Sequence, residues 1–253
     1  MGVAAAAVPG GDPRERLAVA LDVPDLERAR ALVGRLAGAP GWLKVGAELF
    51  TAAGPAALDL ARREARVFLD TKLHDVPNSV AGAVAAATRC GVSMLTLHAS
   101  GGRAMLSAAR EAAERAAAGS GAERPLLVAV TVLTSLSEGE LGELGLRAAS
   151  VEEQVLRLAA LARASGLDGV VASAREAALI RRQAGAGLCL VTPGIRPRGW
   201  PADDQRRTAG AGEAIRAGAD LLVVGRPVLA APDPQRATRE LLAEIGAALE
   251  TAP

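Results

Sequence analysis

The chain is poor in aromatic residues, in cysteine and in net charge. Its 253 residues include no tyrosine, two phenylalanines, two tryptophans and two cysteines. Two cysteines cannot form a disulfide scaffold, so we interpret Cys90 and Cys189 as thiols of a cytoplasmic protein. The 29 Lys and Arg residues and the 28 Asp and Glu residues leave a net charge of +1. Proteins that bind nucleic acid or a membrane surface usually have a basic excess, so we expect neither partner.

Long apolar runs are also absent, and none reaches the roughly 18 residues that a membrane-spanning helix needs. Residues 1–16 are rich in Ala, Gly and Pro, lack a basic start and have an apolar run that Pro9 interrupts. These features argue against a signal peptide, and we expect residues 1–16 to form a flexible N-terminal extension. No linker divides residues 17–253, which we predict to be one domain of the size of a (β/α)8 barrel.

Short apolar runs alternate along the chain with longer segments of helical spacing. The runs are nearly continuous in Val, Leu and Ala, as in strands of a parallel sheet that is covered on both faces. We therefore predict an α/β protein with a single (β/α)8 TIM barrel, and an open doubly wound sheet is the alternative. The predicted strands are residues 17–22, 42–46, 66–70, 93–98, 126–131, 168–172, 188–192 and 220–225.

Polar residues follow nearly every predicted strand. In a parallel barrel all of these positions lie on the C-terminal face, where such barrels build their active sites. One polar residue at a strand end can simply be a solvated surface residue. A polar residue at nearly every strand end is hard to explain in that way, so the set predicts a functional site. Its members are Asp22, Lys44, Asp70, His98, Thr131, Thr134, Ser173, Thr192 and Arg226.

The densest group of charged residues runs from Asp70 to Asp75. Residues i and i+2 of an extended segment point to the same side, so Asp70 and Lys72 can face one cavity. Asp75 lies in the following loop, where Asn78 or Ser79 can cap the next helix. A surface ion pair between Asp70 and Lys72 is the plainer alternative.

A second group surrounds the seventh and eighth strands. Loops in these positions often bind phosphate in barrel enzymes, and Gly194 allows close backbone approach there. Arg196 and Arg226 provide forked donors for phosphate oxygens. Residues 198–207 are polar and carry Gly and Pro, so we predict a mobile lid, with an ordinary exposed loop as the alternative.

Over residues 17–249 these motifs resemble the bacterial-type orotidine 5′-phosphate decarboxylase family. One departure is Thr71, where the family pattern has an apolar residue. Alternation turns Thr71 away from the cavity, so the departure does not put activity in doubt. The matching pieces are ALD ending at Asp22, LKVG at 43–46, FLDTKLHDVPNS at 68–79, HASGG at 98–102, VTVLTS at 130–135, VTPGIRP at 191–197, DQRR at 204–207 and VVGRP at 223–227.

The resemblance implies decarboxylation of orotidine 5′-phosphate to uridine 5′-phosphate, the last step of de novo pyrimidine nucleotide synthesis. It implies that Asp22 and Lys44 bind the ribose, and that Asp70 and Lys72 flank the pyrimidine C6. Asp75 would enter the active site of a partner chain, with Ser79 nearby.

Further roles that the resemblance implies concern the pyrimidine and the phosphate. Thr134 would contact the pyrimidine, whereas Arg196, Gln205, Gly225 and Arg226 would bind the phosphate. The implied catalytic residues are Lys44, Asp70, Lys72 and Asp75. The implied substrate-binding residues are Asp22, Lys44, Asp70, Thr71, Lys72, Leu73, His74, Asp75, Val76, Pro77, Asn78, Ser79, Thr134, Arg196, Gln205, Gly225 and Arg226.

The family also implies a homodimer with shared active sites and no metal or organic cofactor. Two alternatives stay open from the residues alone. One is a sugar-phosphate lyase or synthase whose Mg²⁺ would be held by Asp22, Asp70 and Glu48. The other is a catalytically silent nucleotide-binding barrel. His98 can be read as a general base, but we favour a structural hydrogen-bonding role because Lys72 already serves as the acid.

Overall fold

The computed structural model describes residues 10–145, 150–197, 200 and 207–251. Eight parallel strands form a closed barrel, in which each strand pairs with the next along the chain and the eighth pairs with the first. The predicted (β/α)8 barrel is thereby confirmed. The strands are β1 (Leu17–Ala20), β2 (Trp42–Gly46), β3 (Arg66–Leu73), β4 (Met94–His98), β5 (Leu126–Val130), β6 (Gly169–Val171), β7 (Cys189–Thr192) and β8 (Leu221–Val224).

Helices cover the outside of the barrel. The first begins where Asp25 accepts a hydrogen bond from the backbone N–H of Arg28, and its apolar face buries Ala29, Leu32, Val33 and Leu36. Among the described residues, no helix is both long and apolar enough to cross a membrane. The helices are α1 (Leu26–Leu36), α2 (Ala47–Ala53), α3 (Pro55–Arg62), α4 (Pro77–Arg89), α5 (Gly102–Ser120), α6 (Glu138–Glu143), α7 (Val151–Ala164), α8 (Ala174–Ala184), α9 (Ala211–Arg216), α10 (Arg226–Leu229) and α11 (Pro234–Thr251).

The hydrophobic core has two layers because the strands are buried on both faces. The larger layer lies between the strands and the helices. The smaller layer fills the barrel itself and includes the bulky side chains of Trp42, Phe68 and Met94. This filling makes the lower part of the barrel a packed core and not a pore.

The predicted extension over residues 1–16 needs a correction at its C-terminal end. Pro13–Arg16 form a 3-10 turn. Trp42 Nε1 donates to the Glu15 carbonyl at 3.0 Å, and Arg16 forms an ion pair with Asp220 at 3.1 Å. These contacts tie the turn to the barrel, so the packed fold begins before Leu17. Residues 1–9 lie outside the described residues.

The end of β3 departs from regular strand geometry. Its register against β4 shifts between Leu69 and Leu73, so three residues of β3 stand opposite Thr96 alone. Lys72 has a φ of +50°, in the left-handed region that residues other than glycine rarely adopt. Such a bulge redirects side chains at the rim of a barrel, and here it shapes the segment that carries Asp70 and Lys72.

Candidate active site

A cavity of about 310 Å³ opens at the C-terminal ends of the barrel strands. Apolar residues such as Phe68 and Val223 line its deeper part. Polar residues further along the chain, such as Asp70 two residues after Phe68, line its mouth. The predicted site residues that line it are Asp22, Lys44, Asp70, Lys72, Thr134, Arg196, Gly225 and Arg226.

Four charged side chains of alternating sign form a row along the β1 to β3 side of the mouth. Lys44 Nζ lies 3.0 Å from Asp22 Oδ1 and 3.3 Å from Asp70 Oδ2. Lys72 Nζ lies 2.9 Å from Asp70 Oδ1. The Lys44 and Asp70 side chains are only 9% and 12% exposed, so the middle of the row is buried, and the contact of Asp70 with Lys72 joins a buried carboxylate to a partly exposed ammonium. Asp22 and Lys72, at the two ends of the row, are 51% and 38% exposed.

The register of the sheet explains this row. Ala20 pairs with Lys44, and Gly46 pairs with Asp70. Asp22 lies two residues past Ala20, so it reaches the level of Gly46 and Asp70. Lys44 starts one step deeper and extends up between the two carboxylates.

Neighbouring charges in the row keep Asp70 and Lys44 ionised. Burial alone would raise the pKa of the Asp70 carboxyl, but Lys44, Lys72 and a hydrogen bond from Thr96 lower it below its ordinary value. Burial alone would lower the pKa of the Lys44 ammonium, but the carboxylates of Asp70 and Asp22 raise it. Asp70 and Lys44 are therefore both charged at neutral pH.

Thr96 supports the row and was missed by the sequence analysis. Its Oγ1 accepts a hydrogen bond from the Lys72 backbone N–H at 2.8 Å and donates to Asp70 Oδ1 at 3.0 Å. Thr96 thus fills the bulge of β3 and orients the Asp70 carboxylate. A threonine inside an apolar strand gives no signal of this role, because its partners lie on another strand.

Gly46 is a second residue that the sequence analysis missed. A Cβ at this position would lie 2.9 Å from Asp22 Oδ1 and 3.1 Å from Lys44 Nζ. A glycine at the end of β2 therefore makes room for the ion pair between Asp22 and Lys44. The sequence alone does not reveal this requirement for glycine, because the crowding comes mainly from Asp22, which is far from Gly46 in sequence.

Groups suited to an anion line the part of the mouth that follows β7 and β8. Arg196 is buried, with 8% of its surface exposed, and its Nη1 donates to the Ile195 carbonyl at 3.0 Å. Gly194 has a φ of +80°, which glycine adopts without strain. Arg226 and Gly225 line the cavity from the end of β8. Gln205 and most of the predicted lid, residues 198–199 and 201–206, lie outside the described residues.

The run from Asp70 to Ser79 divides between two places. Asp70 and Lys72 line the cavity, whereas Thr71 faces away from it, as alternation predicted. A shallow depression on the outer side, which we call the 71–83 depression, includes Lys72 as well. Its other lining residues are Thr71, Leu73, His74, Asp75, Ser79, Val80 and Ala83. Val76, Pro77 and Asn78 line neither hollow, so a role for them in binding stays a prediction.

His98 lies at the end of β4 beside His74, with 5.5 Å between the ring centroids. Burial, followed by the neighbouring His74 and Lys72, lowers the pKa of His98. His98 is not among the residues that line the cavity. This position fits the structural role that we favoured.

The three residues that the magnesium alternative requires, Asp22, Asp70 and Glu48, do not meet at one point. Glu48 lies exposed on α2 and does not line the cavity, and Lys44 Nζ stands between Asp22 and Asp70. The described part of the chain contains no group of three or more His, Cys, Asp or Glu residues that could hold a metal ion.

Comparisons with known proteins agree with this geometry. The model of the orotidine 5′-phosphate decarboxylase / HUMPS family matches residues 15–241. The chain is 53% identical over 234 residues to the orotidine 5′-phosphate decarboxylase of Moorella thermoacetica, and the match covers 92% of each protein. It is 54% identical over 234 residues to that of Halorhodospira halophila, with 92% of this chain and 97% of the relative covered.

Solved structures give the same answer at the level of the fold. The crystal structure of orotidine 5′-phosphate decarboxylase from Lactobacillus acidophilus has a TM-score of 0.80 and 35% sequence identity to this chain, with 90% of this chain and 98% of that one covered. The family model spans nearly the whole barrel, and the relatives match this chain over nearly their full length. The chain therefore belongs to the orotidine 5′-phosphate decarboxylase / HUMPS family.

Proposed function

We propose that this protein decarboxylates orotidine 5′-phosphate to uridine 5′-phosphate in the cytoplasm, as part of pyrimidine synthesis, with the barrel as its single catalytic domain. The observation that carries the proposal is the row of Asp22, Lys44, Asp70 and Lys72 at one side of the cavity mouth, with Lys44 and Asp70 buried in its middle. Arg196 and Arg226 line the same cavity and suit the phosphate of a nucleotide.

Lys72 is the proton donor in this proposal. When the bond from C6 to the carboxylate carbon breaks, CO2 leaves and the electron pair stays on C6 in the plane of the ring. An ammonium at about 4 Å stabilises such a charge by about 4 kcal/mol at an effective dielectric constant near 20. The Lys72 ammonium then transfers a proton to C6, and uridine 5′-phosphate forms without any cofactor.

Asp70 has two roles. It holds Lys72 in place through the 2.9 Å contact between Asp70 Oδ1 and Lys72 Nζ. It also lies beside the carboxylate of the bound substrate, and this repulsion is relieved as CO2 leaves. The interaction therefore disfavours the ground state more than the transition state, which raises the rate.

The remaining contacts orient the substrate. Asp22 and Lys44 bind the ribose hydroxyls, and Thr134 contacts the pyrimidine. Arg196, Arg226, Gly225 and the undescribed Gln205 bind the phosphate, which lies far from the reacting bond. Binding energy gained there can be used to organise the site around the pyrimidine.

We also propose a homodimer in which Asp75 completes the partner's active site. Asp75 is exposed, accepts a hydrogen bond from Val76 N–H at 2.6 Å and does not line the cavity of its own chain. The neighbouring Val76 is 63% exposed, and a partner chain seated here would cover it. The 71–83 depression borders Lys72, so a second chain seated there would approach the reactive ammonium.

The test is a decarboxylation assay on the purified protein. We expect orotidine 5′-phosphate to lose its absorbance, uridine 5′-phosphate to appear on chromatography, and a chelator to leave the rate unchanged. A protein that binds the nucleotide without turnover would be the silent barrel. A rate that the chelator abolishes and Mg²⁺ restores would favour the metal-dependent alternative.

A further inference from the structure

A buried ion pair at the mouth of the barrel has no part in the chemistry described above. Arg207 Nη1 lies 2.8 Å from Glu176 Oε1, and the two side chains are only 10% and 2% exposed. Buried ion pairs add little net stability compared with apolar side chains of the same size, because both charges lose their hydration. The position of this pair next to the active site suggests a task other than stability.

Glu176 is held by the start of α8. Its Oε2 accepts hydrogen bonds from the backbone N–H of Ser173, at 2.8 Å, and from the Ser173 hydroxyl. Ser173 is the residue before α8 and lies two residues after the end of β6. The carboxylate therefore has one oxygen fixed to the backbone and the other free to bind Arg207.

The second arm of Arg207 binds a loop that lines the cavity. Its Nη2 donates to the Val132 carbonyl at 3.3 Å and to the Leu133 carbonyl at 2.8 Å. The Leu133 carbonyl also accepts a hydrogen bond from Leu136 N–H at 3.0 Å, which closes a four-residue turn. The central residues of that turn are Thr134 and Ser135, and both line the cavity.

The backbone beside Arg207 is fixed as well. Ile195 pairs with Ala209, and Arg196 N–H donates to the Ala209 carbonyl at 2.9 Å. Arg207, which follows β7 in sequence, thus connects the loop after β5 with the first turn of α8. A lysine could not make these contacts together, because only the planar guanidinium offers several donors in a fixed fork.

We propose that Arg207 is a positioning residue, which holds the 133–136 turn so that Thr134 meets the pyrimidine of the substrate. The inference rests on the proposed decarboxylation and deepens it. Glu176 serves as the anchor that fixes the direction of the guanidinium. Neither residue touches the substrate.

The first test compares Arg207→Met with a matched control, Arg181→Met. Arg181 also pairs with a carboxylate, Asp220 at 2.6 Å, and donates to backbone carbonyls, but it lies at the opposite end of the barrel. We expect Arg207→Met to lower kcat/KM about tenfold or more, since small misplacements of substrate-contacting groups are costly. Arg181→Met should lower Tm and keep kcat/KM within about twofold of wild type, because the N-terminal face of a barrel serves stability.

The second test is a double-mutant cycle with Thr134→Ala. If Arg207 acts through the turn, Thr134→Ala should cost less in the Arg207→Met protein than in wild type, by about threefold or more in kcat/KM. Arg207→Lys should fall between wild type and Arg207→Met. Additive effects, or a loss of Tm in Arg207→Met with kcat/KM unchanged, would overturn the proposal.

Glu176→Gln keeps the test decisive if Arg207→Met does not fold. It retains an acceptor for Ser173 and removes the charge opposite Arg207, so it should lower kcat/KM and show the same coupling to Thr134→Ala. A wild-type protein without decarboxylase activity would refute the proposed function. An active wild type whose Arg207 and Glu176 variants behave like Arg181→Met would refute only the role of Arg207.

Discussion

At the scale of single residues, lysine occurs in this chain only where an ammonium lies in the cavity. Of the 29 Lys and Arg residues, Lys44 and Lys72 are the only lysines. An arginine carries the same charge, but its guanidinium does not release its proton in a protein and it is a broad planar fork. A compact ammonium that can give up a proton is therefore the property that distinguishes these two positions.

Two substitutions of Lys72 separate its charge from its proton. Lys72→Ala should lower kcat roughly a thousandfold, because an interaction of about 4 kcal/mol is lost from the transition state. Lys72→Arg keeps a positive charge, but a guanidinium does not release its protons at neutral pH, so this variant should also be nearly inactive. Turnover and circular dichroism should be measured together. A folded Lys72→Ala protein with a tenth of the wild-type activity would rule out Lys72 as the proton donor.

Asp70 should make the stability of the protein depend on pH in acid. Its pKa is lowered in the folded state, so its charged form stabilises the fold above the ordinary pKa of 3.8, and this contribution is lost as the pH falls through the lower folded value. Asp70→Asn leaves the Lys44 ammonium short of a partner, so it should be less stable than wild type at pH 7. Urea unfolding at neutral and acid pH measures the difference, which should shrink below about pH 4. A difference that does not change with pH would contradict the assignment.

The sequence predicts Asp70 and Lys72 on one side because they are two residues apart, but it does not predict how the site is supported. The bulge at Lys72 and the hydrogen bonds of Thr96 arise from the pairing of β3 with β4. The contacts of Arg207 with Glu176 and Leu133 join residues far apart in sequence. Such partners become neighbours only when the barrel closes.

At the scale of elements, two aspartates that precede strands secure the N-terminal end of the barrel. Asp168 precedes β6, accepts a hydrogen bond from Leu127 N–H at 2.8 Å and binds Arg124 at 2.7 Å through both oxygens. Asp220 precedes β8 and accepts from Leu190 N–H at 2.8 Å, as well as from Arg16 and Arg181. Each carboxylate fixes its own strand to the preceding one.

Asp168→Ala should therefore destabilise the fold without changing the chemistry. It leaves the Arg124 guanidinium, whose side chain is 4% exposed, without its carboxylate. Removing one partner of a buried ion pair typically costs about 3–5 kcal/mol, and the free energy of unfolding in urea measures this loss. Asp168→Asn keeps an acceptor for Leu127 and should lose less. A large fall in kcat/KM for folded Asp168→Ala would show that this end of the barrel also serves the active site.

The strands could be predicted from the sequence because their residues are mostly buried on both faces and a polar residue lies at or shortly after the end of nearly every strand. The apolar residues of α1 are spaced three or four positions apart, which is the pattern of one helix face, and its cap Asp25 directly precedes them. By contrast, α6 and α10 span only 6 and 4 residues, too few to show a helical period. The 3-10 turn at Pro13–Arg16 was also missed, because its stability comes from contacts with Trp42 and Asp220.

At the scale of the whole molecule, the exposure of Lys72 on the outer side of the barrel points to a role for a second chain. Asp70 and Asp22 balance Lys44 and Lys72, and the Lys72 side chain remains 38% exposed toward the 71–83 depression. The exposed Asp75 and Val76 flank the same depression. A second copy that turns its own Asp75 toward this Lys72 would cover the apolar Val76 and place a carboxylate beside the ammonium.

Mixing two inactive variants tests this arrangement. Under the shared-site model, Asp75→Asn and Lys72→Ala homodimers are each nearly inactive. In a mixed dimer, one site collects both substitutions, and the other combines an intact Lys72 with an intact Asp75 of the partner. An equilibrated equal mixture should regain about a quarter of the wild-type activity, because about half of the dimers are mixed and each has one of its two sites intact. Mass spectrometry verifies the exchange of subunits. If the exchanged mixture stays as inactive as its parents, Asp75 acts within its own chain and the shared site does not exist.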